Sequence, residues 1–506
     1  MHIYNTKSRE KEEFKPLSSR GVKVYYCGPT PYNFAHIGNL KAYTGNDMVV
    51  RTLRFLGYDV NTVMNITDID DKTIKNSQEA WESLLDFTKK YSEAFMLDIA
   101  KLNIVPADTI SPISEIIPEM VRMINTLLRR GFAYVADDGS IYYNIKKFGK
   151  YGKLANLNME GMKQSVRIDN DEYDKENAAD FALWKAWNES DGENAWEGAF
   201  EVPPLNPLLS KEGKTNESES GVVTIKWRPG WHIECSACAM KFLWPQIDLH
   251  MGWIDNLFPH HQNEVAQTEA CTRKEFSKYW AHHGHLTVGG KKMSKSAGNF
   301  YTLADLEEKQ ASWEIKADSP EMLYRAIRLN FLGGKYRDSI DLSFEKLEAN
   351  INTLKWLDET IKIILREVEK PEHELNGVSR EFRDYTQDII QRYIAALEDD
   401  FAIPEALAVV FEFQTFVNSN TSQGNFALEE LHSALDLFQT FNQVLAIFKF
   451  DFEQTQAPLE IQTKLDARDA AKTAKDFDTA DKLRDEITTA WYKIIDSREG
   501  SRLELI

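Results

Sequence analysis

Apolar runs alternate with segments of helical spacing through the first part of the chain. The run Val22–Cys27 leads through the turn-rich Gly28–Pro31 into Leu40–Leu56, where apolar residues recur at helical spacing. A second apolar run, Val60–Met64, precedes a long helical stretch that extends through Leu102. Successive parallel strands need a crossover connection, which is usually a helix. The alternation therefore predicts an α/β fold built on a parallel sheet.

The start of the first helix has the features of an anion site. The segment His36-Ile37-Gly38-Asn39 lies where free N–H groups and the positive end of a helix dipole are expected. His36 and Asn39 are three residues apart, so both side chains can point from one side of the first turn toward a phosphate. Taken alone, the pair is also compatible with a simple helix cap.

A basic loop downstream is the second candidate for a phosphate contact. Gly289-Gly290 opens the segment Lys291-Lys292-Met293-Ser294-Lys295-Ser296, whose three lysines could hold the far end of a triphosphate. Taken alone, such a run is more often a solvated surface loop.

A third pattern has the chemistry of a metal site. His260 and Glu264 are four residues apart, so a helix places them on one face. Cys27 ends the first apolar run, and a parallel sheet could bring Cys235 to the same end. Thiolate, imidazole and carboxylate ligands suit Zn²⁺. The alternative is that the cysteines are buried small apolar residues.

The other cysteines and the composition set limits on the whole chain. Cys235-x-x-Cys238 has ligand-like spacing, but we interpret Cys238 as a supporting or structural residue, and Cys271 has no partner signal. Four unevenly spaced cysteines do not suggest a disulfide framework, and the charged segment Met1–Glu13 lacks an apolar signal core. A cytoplasmic protein is expected.

The length of 506 residues predicts two to four domains. No run of about 18 apolar residues is present in the sequence, so no membrane partner is expected. A net charge of −19 argues, taken alone, against a nucleic-acid partner. Net charge describes solubility more than it describes a site, so this is weak counter-evidence.

The second half of the chain changes to helical patterns alone. After Asp341, apolar residues at three/four spacing predict a helical bundle; the first stripe is Leu347, Ile351, Leu354, Leu357, Ile361 and Ile364. Pro458 marks a boundary before a small charged helical module, Glu460–Ile506. Earlier, Pro203–Gly221 is rich in Pro, Ser, Glu and Lys and predicts a disordered surface loop.

The two anion motifs, in this order, resemble the two signature sequences of class I aminoacyl-tRNA synthetases. Three further segments are similar to those of cysteinyl-tRNA synthetases: Asn65–Lys72, Arg228–Cys235 and Phe258–Glu264. The resemblance extends from Tyr4 to about Gly500. It implies a ligase that activates L-cysteine with ATP to cysteinyl-adenylate and transfers it to the 3′ end of tRNA(Cys).

The resemblance also implies a domain order. A Rossmann-type catalytic domain is formed by residues 1–111 and 226–340, and a connective insertion occupies 112–225. The α-helical bundle, on the stem and anticodon side of the tRNA, covers 341–457, and a small anticodon-binding module covers 458–506. A monomer is expected.

The site residues implied by the resemblance fall into four groups. The catalytic residues are His36, Asn39, Lys292 and Lys295. The ATP-binding residues are Gly38, His36, Asn39 and Lys295, with Mg²⁺ accompanying ATP. The amino-acid-binding residues are Gly28, Thr30, Trp231 and His250. One Zn²⁺ per chain is held by Cys27, Cys235, His260 and Glu264, and its preference for sulfur over a hydroxyl would select cysteine over serine.

The chain departs from the family pattern at several positions. Asn39 replaces the second histidine of the first signature, Met251 and Trp253 replace glycines, Gln262 replaces an acid, and Leu503 replaces a common tryptophan. Bulky residues in place of glycine could crowd the nucleotide. The missing tryptophan makes anticodon contact the least secure part of the resemblance.

Alternative functions remain compatible with parts of the pattern. A cysteine ligase that acts on an amino sugar would share the adenylation chemistry, and a non-catalytic RNA-binding paralogue would share the fold. The helical second half favours tRNA as the acceptor. Lys72-Thr73-Ile74-Lys75 resembles a lysine pair associated with pyridoxal phosphate and persulfide formation, although a solvated helix start is the simpler interpretation.

Overall fold

Strands and helices alternate in the N-terminal part of the chain. The computed structural model describes residues 1–19, 21–157, 180–201, 222–293, 298–370, 377–452, 459–490, 492–497 and 500–505. The first elements are β1 (His2–Asn5), β2 (Glu10–Glu13), β3 (Val22–Tyr26), α1 (Ile37–Phe55), β4 (Val60–Ile66), α2 (Asp71–Glu79), α3 (Leu84–Lys101) and β5 (Thr109–Pro112).

The middle part returns to the sheet after a separate β region. Its elements are α4 (Ile117–Arg129), β6 (Ala133–Val135), β7 (Ile141–Tyr143), β8 (Phe181–Ala186), β9 (Trp196–Glu201), β10 (Val222–Pro229), α5 (Trp231–Leu243), β11 (Ile247–Trp253), α6 (His260–Thr272), β12 (Ser277–His283), β13 (Leu286–Val288) and β14 (Lys291–Lys292).

The last part is mostly helical. It comprises α7 (Leu303–Ala311), α8 (Pro320–Leu332), β15 (Ile340–Leu342), α9 (Phe344–Val368), α10 (Arg380–Glu398), α11 (Ile403–Ser422), α12 (Leu428–Leu445), α13 (Leu459–Thr473), α14 (Phe477–Thr489), β16 (Tyr492–Ser497) and β17 (Gly500–Leu505). The chain forms two compact units, Met1–Phe448 and Lys449–Ile506. In the part of the chain that the structure describes, no helix is long and apolar enough to cross a membrane.

The predicted parallel sheet is confirmed. Five strands lie in the order β12-β11-β3-β4-β5, and each neighbouring pair is parallel. Helices cover both faces of such a sheet, which explains why β3, β4, β11 and β12 are buried almost throughout. The chain proceeds from β3 toward β5 on one side and later adds β11 and β12 on the other. Ligands bind beyond the carboxyl ends of strands at such a reversal.

The connective region forms a sheet of its own. Its five strands lie in the order β6-β7-β8-β10-β9, and the paired strands are antiparallel. The β9–β10 ladder begins where Glu201 pairs directly with Val222. The loop predicted to be disordered, Pro203–Gly221, lies outside the described residues.

The predicted helical bundle is also confirmed. The six apolar residues of the first stripe lie on α9 and are at most 1% exposed. Two buried arginines of α8 extend this packing by hydrogen bonding to the end of α12. Arg325 Nε donates to the Ile447 carbonyl at 2.7 Å, and Arg328 Nε donates to the Leu445 carbonyl at 2.7 Å.

The second unit has a small core of its own. Ile461, Leu465 and Ile487 pack together between α13, α14 and the β16–β17 hairpin. Arg468 of α13, only 7% exposed, donates to both carboxylate oxygens of Asp496 at 2.6 and 2.9 Å. The domain boundaries predicted from the sequence, including the one near Pro458, stay predictions.

Candidate active site

A cavity of about 370 Å³ opens at the carboxyl ends of β3, β4 and β11. Seven residues predicted for the site line it: Cys27, Gly28, Thr30, His36, Asn39, Trp231 and Cys235. They come from the β3–α1 connection, the start of α1 and the first turns of α5. The sheet reversal therefore collects residues that are more than 200 positions apart in sequence.

The first turn of α1 forms one wall of the cavity. His36 Nδ1 accepts a hydrogen bond from the Asn39 N–H at 3.2 Å, and Asn39 Oδ1 accepts one from the His36 N–H at 3.1 Å. Burial lowers the pKa of His36 to about 4, so the ring is neutral at neutral pH. A neutral imidazole whose Nδ1 accepts carries its proton on Nε2. His36 is thus both a helix cap and a donor available to a ligand.

Gly28 is required by close packing at the end of β3. A Cβ atom at this position would lie 1.5 Å from the Asn65 carbonyl oxygen. The same asparagine accepts hydrogen bonds at its Oδ1 from the Gly28 N–H at 2.9 Å and from the Tyr25 hydroxyl at 2.9 Å. Asn65 was not predicted as a site residue, although it begins a segment that the resemblance singled out.

Cys27 and Cys235 of the cavity wall converge with the buried His260 and Glu264 behind it. Their ligand atoms all lie within 4.8 Å of one another. The two sulfurs are 3.7 Å apart, and His260 Nε2 is 3.4 Å from Cys235 Sγ and 3.1 Å from Glu264 Oε1. Helix α6 presents His260 and Glu264 on one face, as their spacing predicts.

The charges of this cluster are balanced internally. Burial alone would raise the pKa of Glu264, but the imidazoles of His250 and His260 lower it to about 2. Burial alone would lower the pKa of His260, but Cys235 and Glu264 raise it to about 10. Hydrogen bonds from Cys27 and His260 outweigh burial and lower the pKa of Cys235 to about 6, whereas the pKa of Cys27 is raised. The charged members are therefore the Glu264 carboxylate, the Cys235 thiolate and the His260 imidazolium.

A second grouping shares two members with the first. Cys27, His250, His261 and Glu264 also have ligand atoms within 4.8 Å of one another. His250 Nε2 lies 2.9 Å from Glu264 Oε2, and His261 Nε2 lies 3.6 Å from Cys27 Sγ. Neither histidine lines the cavity. His250 was predicted to bind the amino acid; it lies one contact behind the cavity wall, against Glu264, and its role stays a prediction.

Several buried contacts of His250, His261 and His282 were not predicted. The ring of His250 stacks on Trp280 at 4.4 Å with an interplanar angle of 15°. His261 Nδ1 lies 2.8 Å from His282 Nε2, and His282 Nδ1 lies 2.9 Å from the Thr6 hydroxyl. Sequence spacing gives no signal for these contacts, because they join the turn after β1 to β11, α6 and β12 across the fold.

Trp231 and Thr30 lie on the cavity wall. Trp231 begins α5, and its ring lies 4.2 Å from the ring of His260. Trp231 therefore connects the cavity wall to the buried cysteine–histidine cluster. Thr30 belongs to the same connection as Gly28 and lines the same cavity.

The basic loop begins beside the first turn of α1. Lys292 lies in β14, where it pairs with Thr287, and its side chain is exposed. A Cβ atom at Gly38 would lie 2.5 Å from Met293 Cε, so this methionine covers the helix start. After the loop, the Tyr301 carbonyl accepts a hydrogen bond from the Ile37 N–H at 2.8 Å. Lys295 lies outside the described residues.

The departures from the family pattern have different structural settings. Met251 is fully buried and does not line the cavity, whereas Trp253 lines it and lies 5.9 Å from the His36 ring. Gln262 Oε1 accepts a hydrogen bond from the Leu154 N–H at 3.1 Å. Cys238 is buried and belongs to neither metal grouping.

The chain matches two family models and relatives of the same name over nearly its whole length. A model described as "tRNA synthetases class I (C) catalytic domain" matches residues 13–202 and 206–352, and one described as "DALR domain" matches residues 392–449. A protein named cysteine--tRNA ligase from Chlamydia caviae is 38% identical over 505 residues, covering 100% of this chain and 98% of its own. Its namesake from Brachyspira hyodysenteriae is 38% identical over 98% of both chains.

Solved structures show the same fold at lower similarity. A Mycobacterium tuberculosis methionyl-tRNA synthetase in complex with methionyl-adenylate has a TM-score of 0.58 at 12% identity, over 84% of this chain and 92% of its own. A LeuRS from Agrobacterium radiobacter K84 has a TM-score of 0.57 at 12% identity, over 86% of this chain and 84% of its own.

Proposed function

The chain belongs to the cysteine--tRNA ligase family of class I synthetases, and on that basis we propose how its cavity activates cysteine. It is a ligase that uses ATP to join L-cysteine to tRNA. The matches to tRNA ligases span the whole chain, and the DALR match lies in its helical part. The full-length match and the DALR match disfavour a cysteine ligase that acts on an amino sugar. They favour the cytoplasmic enzyme that the sequence predicts.

The chemistry of the buried donors supports a zinc site at Cys27, Cys235, His260 and Glu264. Two sulfurs, one imidazole and one carboxylate within 4.8 Å are a typical Zn²⁺ ligand set. We favour this set over the grouping with His250 and His261, because Cys235, which only this set contains, lines the cavity, whereas His250 and His261 do not. When bound there, Zn²⁺ would supply a Lewis acid with a strong preference for the substrate sulfur over the hydroxyl of serine.

The first turn of α1 is proposed to hold the α-phosphate. In the first step, the cysteine carboxylate attacks the α-phosphorus, and the bond to the bridging oxygen breaks to release pyrophosphate. His36 would donate from Nε2, and Asn39 from its amide group, since its Oδ1 already accepts from the His36 N–H at 3.1 Å. Lys292 and Lys295 are proposed to neutralise the β- and γ-phosphates, with Mg²⁺ accompanying ATP.

In the second step, a ribose hydroxyl of the terminal tRNA nucleotide attacks the acyl carbon and AMP leaves. Such transfers depend mainly on positioning and charge stabilisation, so no protein nucleophile is required. Gly28, Thr30 and Trp231 are proposed to enclose the amino acid. His250 is proposed to act on it indirectly, by holding Glu264 at 2.9 Å.

The convergence of the four donors carries the zinc proposal, and one substitution tests it. Cys235→Ser should lose bound zinc and cysteine-dependent ATP–pyrophosphate exchange together, because the set loses a soft ligand. Cys271→Ser is the matched control, since Cys271 instead donates to the Met123 carbonyl at 3.5 Å. Metal content and exchange rate are measured on the same preparations. Full exchange in zinc-free protein would refute the proposal.

A pyridoxal phosphate site at Lys72 has no support from the relatives and stays a hypothesis. Lys72 Nζ lies 5.7 Å from the centroid of the Tyr32 ring. A Schiff-base absorbance that disappears in Lys72→Ala would support the hypothesis.

A further inference from the structure

Aromatic rings are exposed at the mouth of the cavity. Phe34 is 49% exposed and Tyr32 is 37% exposed, although both line the cavity together with Tyr91 of α3. A half-exposed phenylalanine ring leaves apolar surface in water, where a ligand ring could cover it. No role in cysteine activation has been assigned to Phe34.

The Phe34 ring is held from behind. It packs edge-to-face against Tyr91, with a centroid distance of 5.2 Å and an interplanar angle of 76°. Tyr91 in turn packs against Phe87 at 5.0 Å, and Phe87 is 3% exposed. The exposed ring is therefore braced by a chain of aromatic contacts that ends in the core, which reduces the entropy lost when a ligand stacks on it.

Lysines accompany these rings. Lys72 Nζ lies 5.7 Å from the Tyr32 centroid, and Lys90 Nζ lies 5.4 Å from the Tyr91 centroid. Aromatic faces interleaved with cations are the usual composition of a surface that binds single-stranded nucleic acid. They are notable here because the chain as a whole has a net charge of −19.

We propose that Phe34, together with Tyr32 and Tyr91, forms a platform on which the unpaired 3′-terminal bases of tRNA stack. This inference rests on the function proposed above. The terminal ribose must reach the activated carboxyl group inside the cavity, so the last bases must cross its mouth. Every base offers a π-face to such a platform, and lysines beside the rings would attract the phosphates that connect the bases.

Phe34→Ala tests the proposal. The affinity for full-length tRNA should fall about 5- to 150-fold, the range expected for the loss of one stacked base. The rate of cysteine-dependent pyrophosphate exchange and its KM for ATP should not change. Phe34→Tyr, which keeps a ring, should retain most of the affinity. Trp244→Ala is the matched control. Trp244 is 57% exposed, but it precedes β11 and so lies at the amino ends of the strands, away from the cavity at their carboxyl ends.

A tRNA that lacks its single-stranded 3′ end separates stacking from indirect effects. The original protein and Phe34→Ala should bind this truncated tRNA equally well. An equal loss of affinity for truncated and full-length tRNA would overturn the proposal, and so would an increased KM for ATP, which would assign the ring to the nucleotide. Absence of cysteine-dependent exchange in the original protein would instead refute the proposed function itself.

Discussion

At the scale of single residues, His36 combines two roles that usually belong to different side chains. It caps α1 through Nδ1, which accepts from the Asn39 N–H at 3.2 Å, and it lines the cavity. The cap fixes the tautomer, and burial fixes the charge, since the pKa of the ring is lowered to about 4. The side chain should therefore offer one oriented, uncharged donor throughout the neutral range.

This predicts a specific pH dependence. The imidazole signals of His36, assigned by their loss in His36→Ala, should not titrate by NMR between pH 8 and about 5, because the folded pKa is about 4. An unfolded histidine titrates near 6.5, so the stabilisation contributed by the neutral ring is lost as the pH falls from about 6.5 toward 4. A midpoint near 6.5 in the folded protein would contradict the assignment.

His36→Ala should also slow pyrophosphate exchange. The loss of one oriented donor to a phosphate typically lowers kcat by about 10²- to 10³-fold. His432→Ala, at an exposed position of α12, is the control and should leave the rate unchanged.

At the scale of secondary-structure elements, one buried carboxylate joins α1 to α8. Asp47 Oδ2 accepts from Arg328 at 2.5 Å and from Arg51 at 2.9 Å. Arg328 is fully buried and also donates to the carbonyls of Leu102 at 2.9 Å and Leu445 at 2.7 Å. A single guanidinium thus binds carbonyl groups at the ends of α3 and α12, and the Asp47 carboxylate balances its buried charge.

Asp47→Ala should therefore be strongly destabilising. It leaves a buried arginine without its carboxylate, which typically costs about 3–5 kcal/mol of the free energy of unfolding. Chemical denaturation followed by circular dichroism measures the loss, and Asp47→Leu combined with Arg328→Met should recover part of it. Arg380→Ala, which breaks an ion pair whose side chains are 93% and 66% exposed, should change stability by less than about 1 kcal/mol. Equal losses in both variants would contradict the assignment.

At the scale of the whole molecule, the two compact units should divide the reaction. A chain that ends at Phe452 keeps the cavity and all four cysteine–histidine–glutamate donors, so it should retain cysteine-dependent pyrophosphate exchange. It should charge tRNA poorly, mainly through weaker tRNA binding, and the remaining affinity should fall less steeply with salt because fewer phosphates are contacted. Normal charging by the shortened chain would show that residues 453–506 do not bind the anticodon.

The sequence predicted those parts of the structure that follow from local periodicity and topology. The parallel sheet follows from the alternation that begins at Val22, and the pairing of His260 with Glu264 follows from helical spacing. The contacts of Asn65, Trp280 and His282 were missed because each joins segments that are distant in the chain. Contacts between distant segments depend on how the side chains pack, and the periodicity of a sequence does not encode that packing. The roles of the predicted site residues stay predictions.

The register between β9 and β10 also affects how freely this chain can change in length. Since Glu201 and Val222 are already partners in the ladder, the two ends of their connection are held together by the sheet. The entropy of closing a flexible connection rises only with the logarithm of its length, by about 0.6 kcal/mol for each doubling. The cavity lies at the carboxyl ends of the strands of a different sheet, so a longer connection adds this entropy without changing the strands that carry the cavity residues. Relatives of this chain are therefore free to differ widely in the size of this connection while they keep the same chemistry.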